Sequence, residues 1–303
     1  MPTVLITGGH GGLGFVAAKQ LASDSKLNLV LAGRSMDAVR RAAEEIRSAS
    51  GVKVTALSLD LSSLASVRQA AKETRAMLNS GEIDSLQAIL CNAGGRKEDI
   101  SYSIDGYEET FATNQLGHFL LVNLLIDCLA ENGRVIFTAS GTHDPERVDG
   151  RMVGAAEEPD AQALAFCGTK EFPPISAGKR YSASKLCNVL TAYELDRRLR
   201  KSSSSLAAIA FDPGQVSGTG FLRTMPKPVQ WLSKTAFFHF VSKRMGVTMG
   251  SLPFSGACLA KIAADPGFAT KSGKYFESND GSLIEARSSK VSYDSNRAAK
   301  LWL

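Results

Sequence analysis

Apolar positions along the chain fall into two kinds of run. Val4 to Thr7, Leu27 to Ala32, Val52 to Leu59, Leu86 to Cys91, Arg134 to Ala139 and Leu206 to Phe211 are short, β-rich and apolar on both faces. Between them, Gly14 to Ser23, Met36 to Ala49, Leu64 to Leu78, Tyr107 to Ala130 and Tyr181 to Arg200 carry the spacing of helices. Strands apolar on both faces and alternating with helices predict a parallel sheet covered on both sides. The expected fold class is α/β, a Rossmann-type doubly wound, mostly parallel sheet with helices on both faces. Neither a repeat nor a domain boundary interrupts the pattern, so residues 1–303 read as a single domain.

Two segments break the alternation. Gly141 to Arg180 contains Pro145, Pro159, Pro173 and Pro174. Gly218 to about Leu252 contains Phe221, Trp231, Phe237, Phe238 and Phe240. Both follow the carboxyl ends of strands, where an open α/β sheet binds its ligands. The first reads as an inserted loop, 141–180. The second reads either as an apolar substrate lid, 218–252, or as a helix packed on the sheet. Val229 to Val241, flanked by Lys227, Lys234 and Lys243, also leaves a peripheral membrane contact open.

Composition narrows the class. The chain has 303 residues, 44% hydrophobic and 21% charged, which suits an ordinary globular protein that needs no staples. Its 35 basic and 30 acidic residues leave only +5, without a dense basic tract, so nucleic acid is not an expected partner. Five cysteines, at 91, 128, 167, 187 and 258, form no CxxC pair and read as reduced, mostly buried thiols. The four histidines lack metal-ligand spacing, and no metal is expected. The first residues enter a strand at once, and no run approaches a membrane span. A cytoplasmic protein is the expectation.

The chemistry concentrates in two places. Thr7-Gly8-Gly9-His10-Gly11-Gly12-Leu13-Gly14 joins the first strand to the first helix. Such a junction aims backbone N–H groups and the positive end of a helix dipole at a phosphate. His10 either adds a contact there or points into water. At the end of the second strand stands Ala32-Gly33-Arg34-Ser35, where an acidic residue would bind the ribose hydroxyl of NAD. Arg34 with Ser35 suits a 2′-phosphate instead, so NADP(H) is the expected cofactor. The second place is Tyr181-Ser182-Ala183-Ser184-Lys185, whose tyrosine and lysine share one helix face. A neighbouring ammonium favours the phenolate and should bring Tyr181 toward a working pKa. Ser140, closing the strand Arg134 to Ala139, is placed to hydrogen-bond a substrate oxygen. His143 reads as a solvated loop residue or a substrate contact, Cys187 as structural, and Cys167 as a residue of the inserted loop near substrate.

These motifs resemble those of the short-chain dehydrogenase/reductase family over essentially the whole chain. Asp60-Leu61, Asn92-Ala93-Gly94, Asn114 and Pro213-Gly214 join the glycine loop, Ser140 and the Tyr181/Lys185 pair in that likeness. The resemblance implies that Gly8, Gly12, Leu13 and Gly14 hold the pyrophosphate and that Asp60 and Leu61 hold the adenine. It implies that Asn92, Ala93 and Gly94 line the cofactor, and that Pro213, Gly214 and Val216 with Thr219 meet the nicotinamide end. It also implies that Asn114 anchors a water relay behind Lys185. A narrower likeness, in Asn114 to Leu121, Ser184 to Asn188, Asp265 to Phe276 and Ala298 to Trp302, is to retinol dehydrogenases and light-dependent protochlorophyllide reductases. Gln215 replaces the cysteine typical after the Pro-Gly of those reductases, and YSASK replaces their YKDSK. These departures favour carbonyl chemistry in the dark.

The expected function is therefore NADPH-dependent transfer of hydride to the carbonyl of a bulky lipophilic or polycyclic substrate, with Tyr181 as proton donor. Two alternatives stand beside it: light-driven reduction of a tetrapyrrole ring double bond, and a non-catalytic NADP(H)-binding sensor or scaffold. The oligomeric state stays open, because relatives pair through the long helices and the 141–180 loop could cover that surface.

Overall fold

The computed structural model describes residues 1–25, 27–156, 158–216, 235, 244 and 246–303. The chain runs β1 (Thr3–Thr7), α1 (Gly12–Asp24), β2 (Asn28–Gly33), α2 (Met36–Ser50), β3 (Val54–Ser58), α3 (Leu64–Asn79) and β4 (Leu86–Cys91). A short α4 (Glu109–Phe111) passes through a π turn, Ala112–Leu116, into α5 (Gly117–Leu125). After β5 (Leu129–Thr138) come α6 (Val148–Val153), α7 (Ala161–Ala165), the long α8 (Ala177–Lys201) and β6 (Ala207–Asp212). Two-residue strands β7 (Gln215–Val216) and β8 (Met249–Gly250) pair with each other. The chain closes with α9 (Leu252–Ala264), β9 (Lys274–Asn279), β10 (Ser282–Ala286) and α10 (Ser295–Trp302).

Eight strands form one sheet in the order β10-β9-β6-β5-β4-β1-β2-β3, parallel throughout except for β10 against β9. This is the expected doubly wound α/β fold. Alternate residues of each strand feed opposite cores. Leu5, Val30, Ile89, Val135 and Phe137 pack under α3, α5 and α8, while Ile6, Leu31, Leu90, Ile136 and Phe211 pack under α1, α2 and α9. The order in which strands join the sheet reverses between β1 and β4, and the carboxyl ends of those parallel strands open the crevice in which such sheets bind ligands.

Local differences from the sequence reading have identifiable causes. The helix expected to reach Ala130 stops at Leu125, and Leu129 and Ala130 already belong to β5. Asn132 takes a left-handed conformation (φ 60°) beside Gly133, a kink that a run of apolar residues does not announce. Helix α8 starts four residues before Tyr181, where Ser176 Oγ accepts from the Lys179 N–H at 3.3 Å. Within the 141–180 segment lie α6 and α7. Every residue of α8 from Ser182 to Asp196 is buried, partly under α10 and the turn before it. Most of the aromatic 218–252 segment, with Phe221, Trp231, Phe237, Phe238 and Phe240, lies outside the described residues.

Candidate active site

A cavity of about 990 Å³ opens at the carboxyl ends of β1, β2, β4, β5 and β6. Its floor at one end is the glycine loop. Gly8 (φ 66°) and Gly12 (φ 52°) hold left-handed conformations, and a Cβ on Gly11 or Gly12 would point into open space. No side chain caps the N-terminus of α1, so its first N–H groups are left for a ligand. Gly14 does not line the cavity. A Cβ there would stand 2.6 Å from Asn92 Nδ2 and 2.7 Å from Gly8 O, so this glycine lets helix and loop close together.

Arg34 and Ser35 form the far wall of that end, both exposed. Ser35 precedes α2 yet makes no capping hydrogen bond. His10 lies against Gly33, where a Cβ would come within 2.6 Å of its ring, and burial and the Arg34 charge lower its pKa. Asp60 and Leu61 line the adjoining wall. The Asp60 carboxylate accepts from Ser62 N at 3.0 Å and Ser62 Oγ at 2.7 Å.

The middle of the cavity is set by Thr7. Its hydroxyl accepts from the N–H groups of Asn92 (2.9 Å) and Ala93 (3.0 Å) and lies 2.9 Å from His118 Nε2. His118 Nδ1 sits 3.1 Å from Asn114 O, which only accepts, so Nδ1 carries the proton. Burial pushes the His118 pKa down to about 4, which keeps the ring neutral and leaves Nε2 an acceptor that shares the Thr7 hydroxyl proton with Leu90 O at 3.1 Å. Asn114 itself comes off the π turn. Its amide pairs with both backbone groups of Gly95 (2.9 and 3.0 Å) and donates to Ser184 Oγ at 2.9 Å. Asn114 Oδ1 and Lys185 Nζ both stand near the point where a Gly94 Cβ would be, at 2.6 and 3.7 Å.

Ser140, Tyr181 and Lys185 meet at the other end. The Tyr181 hydroxyl hydrogen-bonds Ser140, and Lys185 Nζ donates to Thr138 O at 2.8 Å while lying 5.7 Å from the centroid of the Tyr181 ring. Burial dominates the electrostatics here. It pushes the Tyr181 pKa up to about 12 against the hydrogen bond from Ser140, and the Lys185 pKa down to about 8. Tyr181 is thus shifted up rather than down as expected: taking the phenolate out of water outweighs the Ser140 hydrogen bond and the Arg96 charge, and Asp212 adds to the rise. Asp212, the last residue of β6, stands beside this group, with Pro213, Gly214 and Val216 following it along the wall. Thr219 lies outside the described residues.

Comparisons with known proteins place the chain in a family. A family profile described as short chain dehydrogenase matches residues 2–152. Protochlorophyllide reductase A, chloroplastic, of Oryza sativa subsp. japonica is 34% identical over 318 residues, covering 99% of this chain and 78% of that protein. The corresponding chloroplastic reductase of Daucus carota is 33% identical over 320 residues, 99% of this chain and 76% of that one. The chain belongs to the short-chain dehydrogenase family. It is accordingly an oxidoreductase, in the subgroup whose likeness the sequence carries. Among solved structures, an uncharacterised protein of Mycobacterium Paratuberculosis superposes with a TM-score of 0.69 at 26% identity, over 100% of this chain and 91% of that one. A blue fluorescent protein from a metagenomic library, solved in complex with NADPH, shares the fold with a TM-score of 0.66 at 18% identity, over 92% of this chain and 97% of that one.

Within this family frame, the dehydrogenase cavity gathers every expected site residue except Gly14 and Thr219. His143 departs from both of its expected roles. It is buried, its Nδ1 lies 2.6 Å from Ser140 O, and its Nε2 accepts from Ser289 N at 3.1 Å, so it is a neutral bridge with its pKa lowered to about 4. Cys187 is buried among Phe111, Leu164, Ala165 and Ala183. Cys167, within the inserted segment, is buried and does not line the cavity. Sequence reasoning overlooked Asp212 and the Arg180–Glu108 pair. Their only signals were an acid directly before Pro213-Gly214 and an arginine directly before Tyr181. No helix among the described residues is long and apolar enough to cross a membrane.

Proposed function

We propose that the protein is an NADPH-dependent reductase that delivers hydride to the carbonyl carbon of a bulky lipophilic substrate, with Tyr181 as the proton donor. NADPH, when bound, supplies the hydride. The glycine cradle at Gly11 and Gly12 and the uncapped start of α1 take the pyrophosphate, and Arg34 with the unused Ser35 hydroxyl takes the 2′-phosphate. Asp60, Leu61, Asn92, Ala93 and Gly94 frame the adenosine and ribose, and Pro213, Gly214 and Val216 border the reacting end.

The observation that carries this reading is the convergence of Ser140, Tyr181 and Lys185, with the Tyr181 and Ser140 hydroxyls hydrogen-bonded. A tyrosine with a pKa of about 12 is fully protonated near neutrality, the state that a reduction requires of its acid. Ser140 polarises the substrate oxygen, and Tyr181 gives it a proton as the alkoxide develops. Lys185 offsets the phenolate left behind, and Asn114 holds the Gly95 backbone and Ser184 beside it. The exchange is balanced: one hydride and one proton convert a ketone or aldehyde to an alcohol.

A second reading, reduction of a ring double bond in a tetrapyrrole, is favoured by relatives named protochlorophyllide reductase that match along 99% of the chain. Gln215, where those reductases typically carry cysteine, weighs against it. Absorbance at 340 nm separates the readings. Oxidation of NADPH in darkness by bulky ketones, aldehydes or quinones, with NADH much slower, is the expected result. Silence in the dark followed by turnover of protochlorophyllide under illumination would establish the second reading, and NADPH binding without turnover in either would leave a sensor.

A further inference from the structure

Asp212 is a buried carboxylate to which the proposed reduction gives no role, at the cavity end where that reading puts the nicotinamide. It is 1% exposed, ends β6, and lines the same cavity end as Ser140, Tyr181 and Lys185. Two hydrogen bonds fix it: Gly214 N donates to Oδ1 at 2.8 Å, and the Tyr275 hydroxyl donates to Oδ2 at 3.1 Å. A second carboxylate approaches from α6. Asp149 Oδ2 and Asp212 Oδ2 lie 3.2 and 3.1 Å from the point where a Gly141 Cβ would stand, so the turn after β5 passes between two acids.

The other charges around Asp212 do not cancel it. From β9, Glu277 is paired with Arg147 at 2.7 Å. Asp149 accepts from the N–H (3.2 Å) and hydroxyl (3.1 Å) of Thr248, both neutral donors. From α8, Tyr181 is neutral and Lys185 is a cation lining this end beside Asp212; Arg96, after β4, adds a second positive charge that reaches Tyr181, and Arg147 feels the Asp212 charge from behind. By itself Lys185 would oppose a positive charge arriving in the cavity. Asp212 with Asp149 offsets Lys185 and Arg96 at this end of the cavity.

Resting on the cofactor reading above, we propose that the Asp212 carboxylate tunes the site toward hydride donation by stabilising the oxidised, positively charged nicotinamide over the reduced, neutral one. The reasoning is electrostatic. Losing hydride converts an uncharged dihydropyridine ring to a pyridinium cation, and a buried carboxylate at that end of the cavity is attracted only to the product form. Asp212 therefore acts on the redox step through its charge, and its influence appears in binding as a preference for NADP⁺.

The test is isothermal titration of NADP⁺ and NADPH into wild-type protein and Asp212→Asn at pH 7.5. Asparagine keeps the Gly214 bond, and the Tyr275 hydroxyl can turn to accept from its amide. The ratio of NADP⁺ to NADPH dissociation constants should rise about tenfold in the variant, the size of effect an adjacent opposite charge exerts. The wild type gives a second readout. Burial and the neighbouring Asp149 and Glu277 raise the Asp212 pKa to about 6, opposed by the Gly214 and Tyr275 bonds. The preference for NADP⁺ should fade as pH drops from 7.5 to 5, while the 2′-phosphate, common to both nucleotides, cancels in the ratio. A ratio that is unchanged in the variant and flat with pH in the wild type would overturn the proposal. Failure of both nucleotides to bind would instead overturn the cofactor reading and this inference with it.

Discussion

Replacing Arg180 with methionine tests how the catalytic helix is held. Arg180 directly precedes Tyr181 and is 4% exposed, and its partner Glu108 is 1% exposed. The guanidinium donates from Nε to Glu108 at 3.1 Å, from Nη1 to Ile175 O at 2.8 Å, and from Nη2 to Lys97 O at 2.8 Å and to Glu98 O and Asp99 O at 3.1 Å. It therefore ties α8 to the 97–99 backbone, just beyond the Gly94 and Gly95 that border the cavity. Methionine fills most of the space but leaves Glu108 as a buried carboxylate served by one donor, Phe111 N at 2.8 Å. Breaking a buried pair in this way costs about 3–5 kcal/mol. For a chain of this size that corresponds to a fall in Tm of roughly 5–15 °C. The assay is urea unfolding of wild type, Arg180→Met, Glu108→Gln and the double variant. The double variant should be more stable than the two single losses predict, because it no longer strands a charge. Arg180→Lys should recover only part of the loss, since a compact ammonium cannot reach Glu108, Ile175 and the 97–99 carbonyls together. A single Met variant within about 1 kcal/mol of wild type would refute the clamp.

Three further outcomes follow from the same geometry. Arg34→Ala should weaken NADPH binding by one to two orders of magnitude, the worth of a charge-assisted contact, and leave NADH unchanged; equal losses for both nucleotides would remove Arg34 from the 2′-phosphate site. Burial lowers the Lys185 pKa to about 8, so its positive charge is present below that value and lost above it; kcat/KM for carbonyl reduction should fall as pH rises through 8, and a flat profile to pH 10 would contradict the role given to Lys185. Burial likewise lowers His118 and His143 to about 4 in the fold, so the unfolded chain binds more protons between that value and the ordinary 6.5. Each then contributes about 3 kcal/mol that is lost as pH falls through this window, partly opposed by Asp212, whose raised pKa favours the fold on acidification. Stability of His143→Asn measured from pH 7 to 4 should vary less than that of wild type; an identical slope would show that the bridge to Ser289 does not titrate with folding.

The sheet was legible because β1, β2, β4, β6 and the second half of β5 are runs of mostly apolar residues facing two cores, and the helices between them keep their periodicity. What escaped depended on chain-distant partners. In β9, Tyr275 and Phe276 are flanked by Gly273, Lys274 and Glu277, so the strand reads as polar until it is seen paired with β6. The loss of two residues from the expected α5 into β5 turns on the left-handed Asn132, a backbone choice that composition does not encode. In the site, the glycine loop, Arg34, Ser140, Tyr181 and Lys185 were legible because local spacing alone places them. His143 was not, because its neutral state follows from burial, with Nε2 left to accept from Ser289 N, 146 residues away, while Ser140 O opposes it by holding the proton on Nδ1. The pKa of Tyr181 shows the same limit. Its i,i+4 lysine is visible in the sequence, but the burial that sets the direction of its shift is a property of the packed cavity.

The central claim is that Tyr181 hands the proton to a substrate whose carbonyl receives hydride. The most direct measurement pairs NADPH binding with NADPH oxidation in Tyr181→Phe, in darkness, on the best ketone or aldehyde found for the wild type. The account predicts NADPH binding within a few-fold of wild type and turnover reduced by two to four orders of magnitude, the size of a general acid's contribution. Turnover near the wild-type rate, with binding intact, would contradict it.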